Sequence, residues 1–263
     1  ERDGKVMITS TSNQQVKHLQ QLAKKARERN EQGVFLVEGI KMFQEAPDEK
    51  IRKVYISKSL YDEKGQAFLR NHEYEVLDDR VFQAVSDTKT PQGILCVVEQ
   101  FRYRLEDLTR RENPHLLILE NLQDPGNLGT ILRTAEGAGA DGIILNRASV
   151  DLYNPKTIRS TMGSVYRMPF LYVEEIEEIL PELKRRNIRT YAAHSKGKNC
   201  YDEEDYRTGT AFFIGNEGNG LSERLSRMAD VRIRIPMEGS LESLNAAVAA
   251  SILMYEVNRQ RRS

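Results

Sequence analysis

Near the start of the chain the apolar residues Val16, Leu19, Leu22, Ala23 and Ala26 recur every three to four places. That spacing puts them on one stripe of a helix over 12–30, with Ser12 and Gln15 forming a capping box at its start. After Gly33 the pattern changes to short apolar runs: Phe35-Leu36-Val37, Val54-Tyr55-Ile56, Tyr74-Glu75-Val76-Leu77 and Ile94-Leu95-Cys96-Val97-Val98. Each is too short for a helix and long enough for a strand, which predicts a small α/β unit. Between Gln100 and Pro114 charged residues crowd the segment, and Asn113 precedes a proline that disfavours helical backbone before it. The junction is placed there, with a first domain over 1–100, a linker over 101–113 and a second domain over 114–263.

The second domain repeats the alternation. A strand over 115–119 is followed by a helix rich in small residues over 127–138 and a strand over 142–145. Further strands are predicted at 189–193, 211–214 and 231–235, and a closing helix over 244–258. Apolar runs joined by helical stretches imply a parallel sheet that binds ligands at the carboxyl ends of its strands. The fold class is α/β in both halves.

Composition adds little to this picture except by exclusion. With 39 basic and 39 acidic residues the chain has no net charge, so any polyanion must be met by local patches. One candidate is the run from Lys184 to Lys198, with Lys184, Arg185, Arg186, Arg189, Lys196 and Lys198 and no acid among them; another is the basic face of the first helix. The acidic run Asp202-Glu203-Glu204-Asp205 would repel polyanions that bind nonspecifically. Cys96 and Cys200 are far apart and match neither a disulfide framework nor a metal knuckle, which fits a reducing cytoplasm. His18, His72, His115 and His194 show no metal-ligand spacing, so no metal is expected. The polar start Glu1-Arg2-Asp3-Gly4-Lys5 leads into no apolar signal region, Met7 is the expected native start, and no run is long enough to span a membrane.

Three loops follow strands in the second domain. In Glu120–Ala135, Asn127 stands where a helix cap would, and Arg133 lies six residues on, taken to be near the same face. A cap followed by a surface arginine is the plain alternative. In Phe212–Ser222, Gly215, Gly218 and Gly220 let a ligand approach the backbone, yet the GxxGxG spacing is not that of a phosphate loop. Glu217 at its centre suits a cationic ligand such as a sulfonium better than a pyrophosphate, although a glycine-rich turn explains the loop equally well. In Ile235–Ala250, Ser240 or Ser243 could cap the closing helix, and its alanine-rich start implies a close neighbour, either another helix or a flat ring.

In this order the loops resemble the three motifs of the SpoU-type, or TrmH-like, RNA 2′-O-ribose methyltransferases of the SPOUT superfamily. The resemblance covers about 115–259. Asn127 and Arg133 match the first motif, Gly215-Asn216-Glu217-Gly218 the second, and Ile235-Pro236-Met237 with Ser243-Leu244-Asn245 the third. Ala246-Ala247 stands where many relatives have Val-Ser. The first hundred residues more loosely resemble the family's substrate-binding domain, whose fold is like that of ribosomal proteins that bind kinked RNA.

The resemblance implies a Rossmann-like sheet with a C-terminal trefoil knot, S-adenosylmethionine as methyl donor, and a homodimer. It implies that Gly215, Asn216, Gly218, Ile235, Met237 and Leu244 bind the cofactor, chiefly through main-chain groups of Gly215, Ile235 and Leu244. Asn127, Arg133, Glu217, Ser243 and Asn245 would form the reaction site. The resemblance implies Arg133 as the base; a guanidinium with a pKa above about 12 is a poor one, and the alternative is that Arg133 holds the adjoining phosphate and the developing alkoxide, a choice the sequence leaves open. Ribosomal RNA is favoured over transfer RNA as the substrate. The competing reading is a catalytically silent RNA-binding or ribosome-associated protein, which S-adenosylmethionine affinity would separate. A nicotinamide-dependent dehydrogenase is excluded, because neither half has GxGxxG after its first strand.

Overall fold

The structure, a computed structural model, describes residues 5–263, so the reading of Glu1 to Gly4 as a polar start lies outside them. Among the described residues no helix is long and apolar enough to cross a membrane. The chain forms two compact units: one holds the residues up to Phe101 and also Asp151–Tyr166, the other Arg102–Val150 and Arg167–Ser263.

The helix expected over 12–30 is two helices, α1 (Gln14–Lys24) and α2 (Ala26–Gln32), because Lys25 adopts extended backbone at φ −116°. The cap is not Ser12 but Asn13, whose Oδ1 accepts the Gln15 N–H at 2.8 Å. The break turns Arg29 inward, where it is 2 % exposed and donates to the Leu22 carbonyl and, at 2.7 Å, to Asp151. There follow β1 (Val34–Glu38), α3 (Ile40–Glu45), β2 (Ile51–Ser57), α4 (Lys58–Lys64), β3 (Tyr74–Leu77), α5 (Asp79–Val85) and β4 (Ile94–Glu99). The strands lie in the order β1-β4-β2-β3, with β4 antiparallel to both neighbours. Val16, Leu19 and Leu22 of α1 pack on Leu36, Tyr55 and Leu95 of the sheet and on Phe82 of α5. Burying each such aliphatic side chain contributes about 1.5–3 kcal/mol.

The second unit contains α6 (Leu105–Leu108), β5 (His115–Leu119), α7 (Pro125–Ala138) and β6 (Gly142–Asn146). After α8 (Pro155–Ser160), within the excursion to the first unit, come β7 (Phe170–Val173), α9 (Leu180–Arg185), β8 (Arg189–Ala193), β9 (Asn199–Cys200), β10 (Thr210–Ile214), α10 (Glu223–Met228), β11 (Val231–Arg234) and α11 (Ala246–Arg261). The seven strands are all parallel in the order β7-β6-β5-β10-β8-β11-β9.

Two boundaries differ from the sequence reading. The segment over 102–113 is no free linker: Leu108 is fully buried, and a Cβ on Gly142 would come within 2.3 Å of it. Asp151–Tyr166, expected in the second domain, packs in the first unit, held by the Arg29–Asp151 pair and by Tyr166, whose hydroxyl donates to the Met42 carbonyl at 2.8 Å.

Candidate active site

Strand order reverses between β5 and β10: β5 leads to β6 and β7 on one side, while β8 and β11 lie on the other. Open parallel sheets bind ligands at the carboxyl ends flanking such a reversal. Here the loops leaving β5 and β10 are stitched together. Asn216 Nδ2 donates to the Asn121 carbonyl at 2.8 Å, and Glu120 accepts from both the N–H and the hydroxyl of Ser222 at 2.7 and 2.8 Å. Asn121 sits at φ 55°, in the left-handed region that asparagine tolerates.

The helix after this loop is capped by Asp124, not by Asn127: Asp124 Oδ1 accepts the Asn127 N–H at 2.8 Å, and Pro125 occupies the first turn. Asp124-Pro125 is a start signal legible in the sequence, and the cap lies there and not at Asn127. Freed from capping, the Asn127 side chain bridges outward. Its Nδ2 donates to Glu217 at 3.4 Å, and its Oδ1 accepts from Asn245 Nδ2 at 3.1 Å. Asn245 in turn caps α11, accepting from Ala247 and Val248, the place where Ser240 or Ser243 was expected. One residue from each of the three loops thus joins a single hydrogen-bonded chain.

Glu217 is engaged by protein donors. Its carboxylate accepts the N–H of Asp124 at 2.8 Å and of Gln123 at 3.1 Å. Partial burial pushes its pKa up, but these bonds and the one from Asn127 outweigh burial and hold it below the usual carboxylate value. Its observed contacts fasten the first loop to the second. Asn216 organises its own loop in the same manner, accepting from the N–H groups of Gly218 and Asn219.

A cavity of about 590 Å³ opens between the loops after β8, β10 and β11 and the start of α11. Gly215, Asn216, Gly218, Ile235, Met237, Ser243 and Leu244 all line it, as does Glu217 at its edge. Gly215 is indispensable locally, since a Cβ there would lie 2.1 Å from the Gly220 and Leu221 backbone. Ala246 and Ala249 give α11 a low profile facing the cavity. Bare backbone, small residues and the branched side chains of Ile235 and Leu244 suit a flat ring with polar edges, and so fit the adenosyl group of S-adenosylmethionine.

Arg133 is not brought to this cavity. Six residues of helix turn through about 600°, which leaves Arg133 about 120° from Asn127, so the two do not share a face. Arg133 is exposed on the outer face of α7, and Asn127 is half-buried among the loops. The basic run over 184–198 is likewise not one patch. Strand β8 separates Lys184–Arg186 from Lys196 and Lys198, Arg185 and Arg186 pair with Glu182, and Arg189 lies 4.0 Å from Glu204. Among the described residues no group of three His, Cys, Asp or Glu could hold a metal ion.

Residues 114–255 match the SpoU rRNA methylase family, and residues 13–96 match an MRM3-like substrate binding domain. The chain belongs to the SpoU rRNA methylase family. It is 33 % identical over 254 residues to the 23S rRNA (guanosine(2553)-2′-O)-methyltransferase RlmP of Bacillus subtilis, covering 95 % of this chain and 98 % of that one. It also resembles the crystal structure of the AdoMet-bound rRNA methyltransferase from Sinorhizobium meliloti, with TM-score 0.86, 31 % identity and 97 % of each chain covered. The SpoU methyltransferase AviRb from Streptomyces viridochromogenes, solved with AdoMet, matches with TM-score 0.87 and 28 % identity over 95 % of this chain and 99 % of that one. As a SpoU methylase, the protein is an S-adenosylmethionine-dependent RNA 2′-O-ribose methyltransferase.

Proposed function

We propose that the protein methylates one ribose 2′-hydroxyl of ribosomal RNA, with the cofactor in the 590 Å³ cavity and the Glu217–Asn127–Asn245 chain setting the reaction geometry beside it. That chain is the observation which carries the reading, because it locks together residues drawn from all three motifs. The bound cofactor supplies an electrophilic methyl group. Main-chain groups at Gly215, Ile235 and Leu244 hold the adenosyl part, with Asn216, Gly218 and Met237 shaping its walls. Asn127 and Asn245 orient the ribose, and Ser243, exposed at the rim, contacts the RNA. Arg133 binds the adjoining phosphate and stabilises negative charge on the ribose oxygen as its proton leaves to water.

Since Arg133 points away from the cavity of its own chain, the complete site belongs to a homodimer. Val248 and Tyr255, 49 % and 50 % exposed, form with half-buried Ile252 an apolar stripe along α11, which a second copy would cover. The C-terminal threading is read as a trefoil knot. The family match over residues 114–255 is what supports that reading. Free Cys96 and Cys200 suit a cytoplasmic enzyme.

Mapping 2′-O-methyl groups in RNA from cells with and without the gene tests the substrate. Loss of one methyl in ribosomal RNA is expected. An unchanged ribosomal RNA map, with a lost methyl in transfer RNA or none at all, would reject the assignment.

A further inference from the structure

The first unit contains a cavity of about 250 Å³ that no motif accounts for. Its wall is apolar, built from Leu36, Met42, Val85, Leu95, Pro155 and Ile158, and it lies under the excursion carrying α8. The mouth is polar and organised. Gly39, at φ 107°, turns the chain from β1 into α3, and Gln92 Oε1 accepts the Ile40 N–H at 2.7 Å. Glu38 takes the Ser86 hydroxyl at 2.6 Å and the Asp87 N–H at 2.9 Å, and Asp87 pairs with Arg159 at 2.6 Å. Asp87 is thus neutralised by Arg159, while Glu38 keeps its charge with its oxygens occupied by donors within the unit. Gln92 Nε2 and the Thr90 hydroxyl remain exposed at the rim, free to bond a ligand.

We infer that this cavity receives an unstacked nucleobase of the substrate RNA, an inference that rests on the reading of RNA as substrate. An apolar slot with a few polar groups at its edge is what a flipped-out base requires, since its faces are apolar and its rim carries donors and acceptors. Charge around the opening agrees. Lys24, Lys41 and Lys89 each adjoin a lining residue in sequence and are exposed, Lys41 lying 3.9 Å from Glu45, and residues 13–96, which supply most of the lining, match a substrate binding domain. The base would be read by Thr90 and Gln92, giving the unit a means of choosing its site in a long RNA.

The test titrates full-length protein, labelled at its Met, Ile, Leu and Val methyl groups, with the four ribonucleoside monophosphates and with inorganic phosphate. Methyl signals of Met42, Leu36 and Ile158 should shift with at least one nucleotide and stay unmoved by phosphate. Ala23→Phe, which fills the cavity from α1, should abolish those shifts and weaken binding of 23S ribosomal RNA by at least about tenfold, with S-adenosylmethionine affinity unchanged. Unmoved methyl groups, or shifts with phosphate alone, would overturn the inference on the unaltered protein, however the variant folds. A folded Ala23→Phe protein that binds RNA as tightly as the original would also overturn it. Absent methyl transfer beside intact nucleotide shifts would sink the proposed reaction and leave this pocket standing.

Discussion

The two ends of the parallel sheet use the same device for opposite purposes. At the amino end, Asp141 accepts the His115 N–H at 2.7 Å, Asp230 accepts from the N–H and hydroxyl of Thr190, and Arg261 donates to the carbonyls of Asn113, Tyr206 and Thr208. At the carboxyl end, Glu120, Glu217, Asn216 and Asn245 take up backbone donors in the same manner. The amino end closes on itself around buried His115, Phe212 and Tyr206. The carboxyl end is stitched just as firmly but leaves the cavity open. Reaction geometry of this kind needs rigid loops around an empty centre, and side-chain carboxylates and amides supply the rigidity that packing cannot.

The sharpest break in that comparison is expected from Arg133→Ala. Methyl transfer should fall by about 10²–10³-fold with cofactor affinity nearly unchanged, because the side chain is proposed to act on the RNA and does not line its own chain's cavity. Calorimetry with S-adenosylmethionine and single-turnover methylation check it. Mixing this protein with Leu244→Arg under subunit exchange should restore part of the activity. Verified exchange without recovery would mean that each chain completes its own site.

Next in size is Glu217→Gln, where an amide replaces an acceptor facing three donors. We expect kcat to drop about tenfold and cofactor affinity to change far less, the signature of misplaced Asn127. A tenfold loss of cofactor affinity at unchanged kcat would instead make Glu217 a direct partner of the sulfonium.

The smallest effect belongs to the amino end. Burial, with Arg261 and Arg111 nearby, pushes the pKa of His115 down to about 3, and neither ring nitrogen has a partner. The unfolded chain binds a proton on this residue below about pH 6.5, whereas the folded one does not until near 3. Stability is therefore full above the unfolded value and lost as pH falls through that window, by at most about 1.4 kcal/mol per pH unit for the one proton. His115→Phe should stabilise by about 1 kcal/mol at pH 7 and by more at pH 5, with activity unchanged. Urea unfolding at both pH values measures this, and an equal gain at the two would contradict the buried neutral histidine.

Legibility in the sequence followed the same division. Four-residue apolar runs such as Leu116–Leu119 and Ala211–Ile214 announce central strands, since both faces are buried. Edge strands β7 and β9 escaped notice: Phe170–Val173 is buried at only one position, and Asn199–Cys200 has no apolar pattern at all. Asn127, Glu217 and Asn245 could be named from motif spacing, but not their mutual bonds, which cross 90 and 118 positions of chain. Glu120, Asn121 and Ser222 were passed over because an ordinary loop contains such residues. Arg29 reads as one more cation on a basic helix, and its burial depends on the break at Lys25, on the Leu22 carbonyl and on Asp151, a partner 122 positions away.

The strand order also governs when the enzyme comes into being during synthesis. Strand β10 must enter between β5 and β8, both already made, and the bond from Gln123 to Glu217 spans 94 positions. Until Thr210–Ile214 emerges, β5 presents a bare edge to its surroundings, the kind of template that invites mispairing between nascent chains. The centre of the sheet is thus finished only after β5, β6, β7 and β8 have been made, and α11, which shapes the last wall of the cavity, is later still. Most of the cavity wall therefore waits on residues that follow Thr210.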